Sequence, residues 1–238
     1  MQQGFSKSSQ MISYFYRFLL ITGLLSAFIH LALFFIPQST WLIVTITKVI
    51  PCLFLSIWVF SQSRYKLLVQ LVAFALFFNT IGDFLLELPG DFYFILGIVA
   101  NLIGHIFYII SFTLEHPELK IKRYIPALIY FVLIMFFFIP VTNGAMRIAI
   151  IVYAFIIVTM AWRSGAAIRA EGPERKDEQL RFIGALFFII CDTFIAINVF
   201  ISYSFVFQLI IMVSYWIGQV LIARSTLRLH VKNEKKGN

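Results

Sequence analysis

Two aspartates lie within apolar segments of the sequence, where a carboxyl group is seldom kept without a function. Asp83 lies a few residues from the end of one such segment, and Asp192 lies near the middle of another. An ionisable side chain in hydrocarbon is costly, so it usually faces a bundle interior or a water-filled cavity. Two carboxyl groups in unlike surroundings can divide the roles of proton donor and stabilising anion. The sequence therefore predicts carboxylate acid–base chemistry, with Asp83 and Asp192 as the catalytic residues.

Other polar side chains recur at helical spacing around these aspartates. Asn79 lies four residues before Asp83, and Asn101 lies four before His105, with Tyr108 three further along. Residues at these spacings share one face of a helix. Two such helices, joined by the short acidic turn between them, can direct both faces at one pocket. The residues expected to bind substrate there are Lys48, Asn79, Asn101, His105, Tyr108, Tyr215 and Gln219.

The two aspartates are expected to differ in charge. Lys48 and Asp83 fall in the same half of the predicted membrane region, and a nearby cation favours the ionised carboxylate. Asp192 has no cation in its own apolar segment. We therefore expect Asp83 to be ionised and Asp192 to be the proton donor, with Lys48 and His105 setting that difference.

Several other chemistries are disfavoured by the sequence. A catalytic zinc site typically needs three protein ligands, and only two of the four histidines lie in apolar segments. The nucleophile motif Gly-x-Ser-x-Gly and a glycine-rich phosphate loop are both absent from the sequence. Cys52 and Cys191 lie in separate apolar segments, without metal-ligand or disulfide spacing. No metal or organic cofactor is expected.

The composition indicates that the elements positioning these residues are membrane helices. Of the 238 residues, 61% are hydrophobic and 13% charged, and 28 are phenylalanine. Apolar runs long enough to span a bilayer recur along the whole chain, which predicts an all-α, polytopic bundle forming one integral domain, 1–238. The predicted spans are 18–36, 41–60, 67–86, 92–114, 124–139, 145–162, 182–201 and 205–223.

The net charge of +8 is interpreted as a topology signal, and no nucleic-acid partner is expected. Lysines and arginines concentrate in the N-terminal tail 1–13 and the residues just after it, in alternate loops and in the C-terminal tail 224–238. The longest polar stretch, 163–181, is expected to be a flexible basic surface loop. By the positive-inside rule both termini are cytoplasmic, and the expected location is the bacterial cytoplasmic membrane.

The third and fourth spans resemble the seventh and eighth. The motif Ala-Leu-Phe-Phe begins at Ala75 before Asp83 and again at Ala185 before Asp192. The third and seventh spans would also cross the membrane in the same direction, as would the fourth and eighth. This indicates a possible parallel duplication of four plus four helices.

The polar residues, taken in order, are similar to the pattern of the YhhN/TMEM86 family. The resemblance rests on Lys48-Val-Ile-Pro, Gly-Asp83, Gly97, His105-x-x-Tyr108, Gly184-Ala, Asp192 and Tyr215-x-x-x-Gln219, and it covers the chain from the second span to the eighth. Asp83 and Asp192 match the family's two intramembrane aspartates, and Lys48, His105, Tyr108, Tyr215 and Gln219 match its other polar positions. One departure is Cys191, where a small polar residue such as serine is expected.

The resemblance implies a function that fits the residue chemistry. Members of that family include lysoplasmalogenases, which hydrolyse the vinyl-ether bond of a lysophospholipid to a fatty aldehyde and a glycerophospho-head group. Two other functions are compatible with the same residues. A proton-coupled small-molecule or lipid transporter also uses intramembrane aspartates, and a non-catalytic lipid-binding protein would need the polar residues only for helix pairing.

Overall fold

The computed structural model describes residues 17, 21–33, 35–36, 41–63 and 66–237. The first helix, α1, is described over Ile21–Leu33. The others are α2 (Trp41–Ser61), α3 (Leu67–Leu86), α4 (Asp91–Glu115), α5 (Ile125–Phe138), α6 (Gly144–Ala166), α7 (Arg175–Phe200) and α8 (Phe205–Gly237), with a short 3-10 helix at Ile121–Tyr124 before α5. The described ranges contain no strand, which confirms the all-α prediction.

Among the described residues, seven helical segments are long and apolar enough to cross a membrane: α2 to α4, α5 together with the 3-10 helix before it (Ile121–Phe138), and α6 to α8. Their outward faces carry large apolar side chains such as Phe92 and Phe136, which are 68% and 74% exposed. The chain is therefore an integral multi-pass membrane protein. The predicted first span, 18–36, falls partly outside the described residues, and its described part is the apolar helix Ile21–Leu33. The predicted N-terminal tail 1–13 lies outside them entirely.

Six helices form a ring around the centre of the bundle. In the order α2, α3, α4, α6, α7 and α8, each helix packs against the next, and α8 closes the ring on α2. Helix α3 also contacts α8 across the ring, whereas α5 packs on the outside of α6. Helix α1 is attached to α2 by the Ser26 hydroxyl, which donates a hydrogen bond to the Thr47 carbonyl oxygen at 3.1 Å. The ring encloses the polar residues singled out in the sequence.

Two helical hairpins, α3–α4 and α7–α8, are held close by glycines. A Cβ added to Gly104 would lie 3.0 Å from the Ala75 carbonyl oxygen on α3. Gly184 and Gly218 face each other, because a Cβ on either would lie 3.0 Å from the carbonyl oxygen of the other. Small residues allow membrane helices to approach this closely. The two hairpins match the predicted repeat in outline, and the duplication itself stays a prediction.

The segment 163–181 corrects the expectation of a flexible surface loop. Helix α6 continues to Ala166 and α7 begins at Arg175, so only a short connection separates them. Arg181 and Glu178 are fully buried, and the Arg181 guanidinium pairs with the Glu115 carboxylate of α4. Several ion pairs lie together in this region, and we call their residues the charged cluster: Glu115, Arg169, Glu174, Asp177, Glu178, Arg181 and Lys232. Opposite charges close together allow the chain to stay packed after the apolar run has ended.

The basic segment 224–238 also differs from a simple tail. Helix α8 runs without interruption to Gly237, well past its apolar part. Leu229 is 1% exposed, and the Lys232 ammonium bonds to the Asp177 carboxylate at 2.5 Å. These contacts extend the helix beyond the membrane span that hydropathy predicts.

Candidate active site

A cavity of about 190 Å³ lies inside the ring, at the opposite end of the bundle from the charged cluster. Its wall is built from α2, α3, α4, α6, α7 and α8. The lining polar residues are Lys48, Asp83, Glu87, Asn101, His105, Tyr153, Cys191, Asp192, Asn198, Gln208 and Tyr215. This is the point at which the ring brings together side chains that are far apart in the sequence.

The two aspartates predicted from the sequence line this one cavity. Asp83 comes from the last turn of α3 and is 5% exposed, and Asp192 comes from the middle of α7. Both carboxyl groups have an oxygen that is buried and makes no hydrogen bond within the described part of the chain. The two groups also lie close enough to interact electrostatically. Carboxyl oxygens in this state are available to a substrate or a water molecule.

His105 is held in the cavity wall by aromatic rings on two other helices. Its imidazole meets Tyr153 of α6 edge-on at 5.6 Å and Phe188 of α7 at 5.2 Å between ring centroids. The side chain is 2% exposed, and neither ring nitrogen makes a hydrogen bond of normal geometry among the described residues, although the Asn101 backbone lies within reach of the ring. Since buried polar groups normally find partners, the imidazole is placed to bind a molecule that enters the cavity.

Lys48 is paired differently from the sequence-based expectation. Its ammonium donates a hydrogen bond of 2.7 Å to the carboxylate of Glu87, the residue directly after the last residue of α3. Lys48 also interacts electrostatically with Asp83. The expected proximity of Lys48 to Asp83 is therefore present, although the ion pair itself is with Glu87.

Tyr215 and Asn101 complete the predicted residues that reach the cavity. The Tyr215 hydroxyl faces Asp83 and the Cys52 thiol but lacks a hydrogen bond of normal geometry to any described residue. Its ring packs edge-on against Phe188, with centroids 5.8 Å apart. Asn101 packs against Gly82 at the α3–α4 crossing.

Three residues expected to bind substrate are placed elsewhere. The buried Asn79 side chain packs against Gly104 in the α3–α4 contact. The Tyr108 hydroxyl donates a hydrogen bond of 2.5 Å to the Gln219 side-chain oxygen, and both side chains are fully buried. Gln219 also lines a separate groove between α1, α2 and α8. The hydrogen bond between Tyr108 and Gln219 joins α4 to α8, whereas the Asn79 amide makes no hydrogen bond of normal geometry within the described residues.

Five polar residues of the cavity wall were not among the predicted site residues: Glu87, Tyr153, Cys191, Asn198 and Gln208. The Tyr153 hydroxyl faces the Asp192 carboxyl group from α6. A tyrosine alone in an apolar span is easily taken for an interfacial residue, although its distance from both ends of the span was a usable signal. Glu87 was assigned to the turn after the third span, and its charge opposite to Lys48 was the signal available.

An apolar chamber of about 120 Å³ adjoins the polar cavity. It lies between α4, α5, α6 and α7, and its wall is formed largely by aliphatic and phenylalanine side chains. Asn101, Tyr153 and Asp192 line both spaces, so they stand at the boundary between them. A molecule with a polar head and an apolar chain fits this arrangement, because binding pockets combine apolar walls with a few convergent polar groups.

Within the described residues, no three His, Cys, Asp or Glu side chains converge in a way that could hold a metal ion. The cavity therefore offers carboxyl, imidazole, phenol, amide and ammonium groups. Together these can donate and accept protons and stabilise charge in a space largely shielded from solvent.

Comparison with known proteins gives consistent matches. The profile of the YhhN family matches residues 43–226. The chain is 30% identical to lysoplasmalogenase TMEM86A from Homo sapiens over 202 residues, which cover 81% of this chain and 82% of that protein. It is 31% identical over 156 residues to lysoplasmalogenase TMEM86A from Bos taurus, covering 64% of this chain and 63% of that protein. It is 29% identical over 153 residues to lysoplasmalogenase TMEM86B from Sus scrofa, covering 63% and 61%.

No solved structure matches the chain. The family match extends over most of the sequence and includes every helix that lines the cavity. The chain belongs to the YhhN family.

Proposed function

We propose that this protein is a membrane-embedded hydrolase that cleaves the vinyl-ether bond of a lysoplasmalogen or a related lysophospholipid. The proposal rests on one observation: Asp83 and Asp192 line the same cavity, and an apolar chamber adjoins that cavity. The relatives named lysoplasmalogenases supply the substrate class. The products are a fatty aldehyde and a glycerophospho-head group.

The reaction begins with proton transfer from a carboxyl group to the vinyl carbon that is not bonded to oxygen. The adjacent carbon and the ether oxygen then share the positive charge of an oxocarbenium ion, which a carboxylate stabilises. Water adds to that carbon and loses a proton. The resulting hemiacetal breaks its bond to the glycerol oxygen, which takes up a proton, so one water is consumed for each aldehyde formed.

The surroundings of the two aspartates support the division of roles expected from the sequence. Lys48 interacts with Asp83, so Asp83 is the carboxylate that stabilises positive charge. Asp192 is accompanied by the Tyr153 hydroxyl and by Asp83. Among the described residues that line the cavity, Lys48 is the one lysine or arginine. Asp192 is therefore assigned as the proton donor, at the boundary where the vinyl ether would lie.

The remaining groups position the lipid and the water. His105, whose two nitrogens make no hydrogen bond of normal geometry in the described chain, holds the water that captures the oxocarbenium ion. Tyr215 orients Asp83 through its hydroxyl. The alkenyl chain lies in the apolar chamber, since its walls are formed largely by apolar side chains.

The orientation in the membrane is also a proposal. The charged cluster and the basic connections lie at one end of the bundle, and the cavity lies at the other. The positive-inside rule assigns the charged end to the cytoplasm, with both termini there, in a bacterial cytoplasmic membrane. Reporter fusions at the C-terminus test this, and an active reporter on the outer side would refute it.

The function is tested by aldehyde release from an alkenyl lysolipid by the purified protein. Asp83→Asn and Asp192→Asn should each lower turnover by on the order of 10²–10⁴, the usual loss for a proton-transfer group. Asp91→Asn is the control. It removes the exposed carboxylate of the first residue of α4, which does not line the cavity, and should leave turnover unchanged. Each variant is first checked for a native elution profile and melting temperature.

The outcomes separate this function from the alternatives. Near-native turnover in either aspartate variant would show that the two-aspartate mechanism is wrong. A folded wild-type protein that releases no aldehyde would refute the hydrolase, and proton-dependent uptake into vesicles would then favour a transporter over a lipid-binding protein.

A further inference from the structure

The ion pair between Lys48 and Glu87 lines the cavity, and its carboxylate, Glu87, has no role in the bond cleavage described above. The Lys48 ammonium and a Glu87 oxygen are 2.7 Å apart, and the two side chains are 12% and 28% exposed. Lys48 comes from within α2, whereas Glu87 caps the end of α3. The cation is thus the deeper member of the pair and the carboxylate is nearer the mouth.

The groups around the cavity form a succession of neighbours that starts at the apolar chamber and ends at Glu87. The apolar chamber is bounded by Asp192. Asp83 lies within the polar cavity and interacts with Lys48, and Lys48 in turn bonds to Glu87. A single-chain phospholipid has a matching order, with its apolar chain, its glycerol-linked reacting bond, a phosphate and finally the polar group esterified to that phosphate.

We propose that Lys48 and Glu87 form the headgroup site and select a zwitterionic headgroup, with the phosphate bound by Lys48 and a terminal ammonium bound by Glu87. The inference rests on the proposed function, which places the vinyl ether beside the aspartates and so directs the headgroup toward the mouth. Glu87 is then a specificity-determining residue that the sequence-based site did not include.

Electrostatics explains why a zwitterion is favoured. When the lipid enters, its phosphate replaces Glu87 at Lys48, and its ammonium replaces Lys48 at Glu87. Neither protein charge is left half-buried and unpaired, which is the state that costs most. A lipid that ends in a bare phosphate provides no cation for Glu87 and brings two anions together, and like charges at close range oppose binding.

A purely structural role is the competing explanation, since the pair also joins α2 to α3. The two explanations differ in their response to a swapped pair. Lys48→Glu with Glu87→Lys restores an ion pair between the helices but reverses its direction. A purely structural pair would leave the headgroup preference unchanged after that reversal, whereas a headgroup site would lose the preference, because the phosphate always precedes the ammonium along the lipid.

The experiment compares two substrates that share one alkenyl chain, an alkenyl glycerophosphoethanolamine and an alkenyl glycerophosphate. The kcat/KM for aldehyde release is measured for the purified full chain, and the ratio between the substrates reports headgroup selection. The variants are Glu87→Gln, Glu87→Lys and the swapped pair. Asp91→Asn serves as the matched control, because it removes an exposed carboxylate at the same end of the bundle.

The wild type should prefer the ethanolamine lipid. Glu87→Gln should lower kcat/KM for that lipid by roughly tenfold, mainly through KM, with little loss for the phosphate lipid. Glu87→Lys should reverse the preference, because two cations then face a phosphate. The swapped pair should fold but should not recover the preference for the ethanolamine lipid, and Asp91→Asn should keep the wild-type ratio.

Each remaining outcome contradicts the assignment. An unchanged ratio in both Glu87 variants, with aldehyde still released, would remove the headgroup site and leave the hydrolase intact. A swapped pair with wild-type preference would make the ion pair structural. A folded wild type that cleaves neither lipid would overturn both proposals.

Discussion

Replacing Gly104 with alanine tests how tightly the cavity wall depends on the α3–α4 contact. Gly104 lies on α4 directly before His105 and faces α3. An added Cβ would lie 2.1 Å from the Asn79 side-chain oxygen and 3.0 Å from the Ala75 carbonyl oxygen. Asn79 is fully buried, so its side chain has little space into which it can rotate.

The size of the effect follows from these distances. Even if Asn79 moves away, the Ala75 carbonyl remains at 3.0 Å, which is 0.4 Å inside the 3.4 Å of ordinary contact. Backbone cannot give way as a side-chain end can, so α3 and α4 must separate by a few tenths of an ångström. Overpacking of this kind costs about 1–3 kcal/mol. Alanine also gains roughly 0.5–1 kcal/mol of helix propensity over glycine.

Gly23→Ala is the matched control, because the propensity gain is similar and the steric cost is absent. A Cβ on Gly23 would first meet the Pro51 Cα at 3.6 Å, an ordinary contact. The difference between the two variants therefore isolates the overpacking term. At about 2–4 °C per kcal/mol, Gly104→Ala should melt roughly 2–12 °C below Gly23→Ala in detergent, with reduced aldehyde release because His105 moves. Equal melting temperatures and equal turnover would refute the close-contact reasoning.

Three further predictions concern residues outside the cavity. Tyr108→Phe removes the donor to Gln219 and should cost about 1–3 kcal/mol, seen as a lower melting temperature; a raised KM for lysolipid would instead make Tyr108 a substrate contact. Arg181→Gln leaves Glu115 buried without its cation and should cost about 3–5 kcal/mol, so the yield of monodisperse protein should fall sharply, and an unaffected yield would contradict the pairing. Burial lowers the pKa of His116 from its usual value of 6.5; the guanidinium groups of Arg181 and Arg169 add to this shift, and the carboxylates of Glu115 and Glu178 oppose it. As the pH falls, the unfolded chain therefore binds a proton at this histidine before the folded protein does. The melting temperature should therefore decrease as the pH is lowered from about 6.5, and His116→Asn should make this decrease with pH smaller. Identical pH profiles of the melting temperature in the two proteins would exclude the His116 contribution.

The membrane spans were predictable because hydropathy reports burial in lipid directly. The predicted third span, 67–86, matches Leu67–Leu86, and the predicted fourth, 92–114, differs from Asp91–Glu115 by one residue at each end. The large errors are at the charged end, where α7 begins at Arg175 and not at 182. Hydropathy marks where the lipid-compatible run ends, whereas the helix continues as long as its charges find partners. Those partners lie on other helices and cannot be read from local sequence.

The sequence located the ionisable residues of the candidate cavity better than its hydrogen-bonding ones. Asp83, Asp192 and His105 were identified because such groups are costly in a membrane and so indicate a cavity. Amides and phenols are cheaper to bury and also join helices, as Tyr108 does with Gln219. Spacing along one helix fixes which residues share a face, but the partner across the ring decides which of those faces meets the cavity.

Buried charge is present at both ends of this bundle, and the difference in its pairing distinguishes structure from function. In the charged cluster each carboxylate has a basic partner, as Glu178 has in Arg169 at 3.1 Å and Asp177 in Lys232 at 2.5 Å. In the cavity, Asp83 and Asp192 have no ion-pair partner within 4.0 Å in the described part of the chain, although both are largely removed from solvent. Burial of carboxyl groups is therefore offset by ion pairs in the charged cluster and is not offset in this way for the two aspartates of the cavity. This contrast supports the proposal that the cavity is the active site, whereas the ion pairs of the charged cluster hold the helices together at the other end.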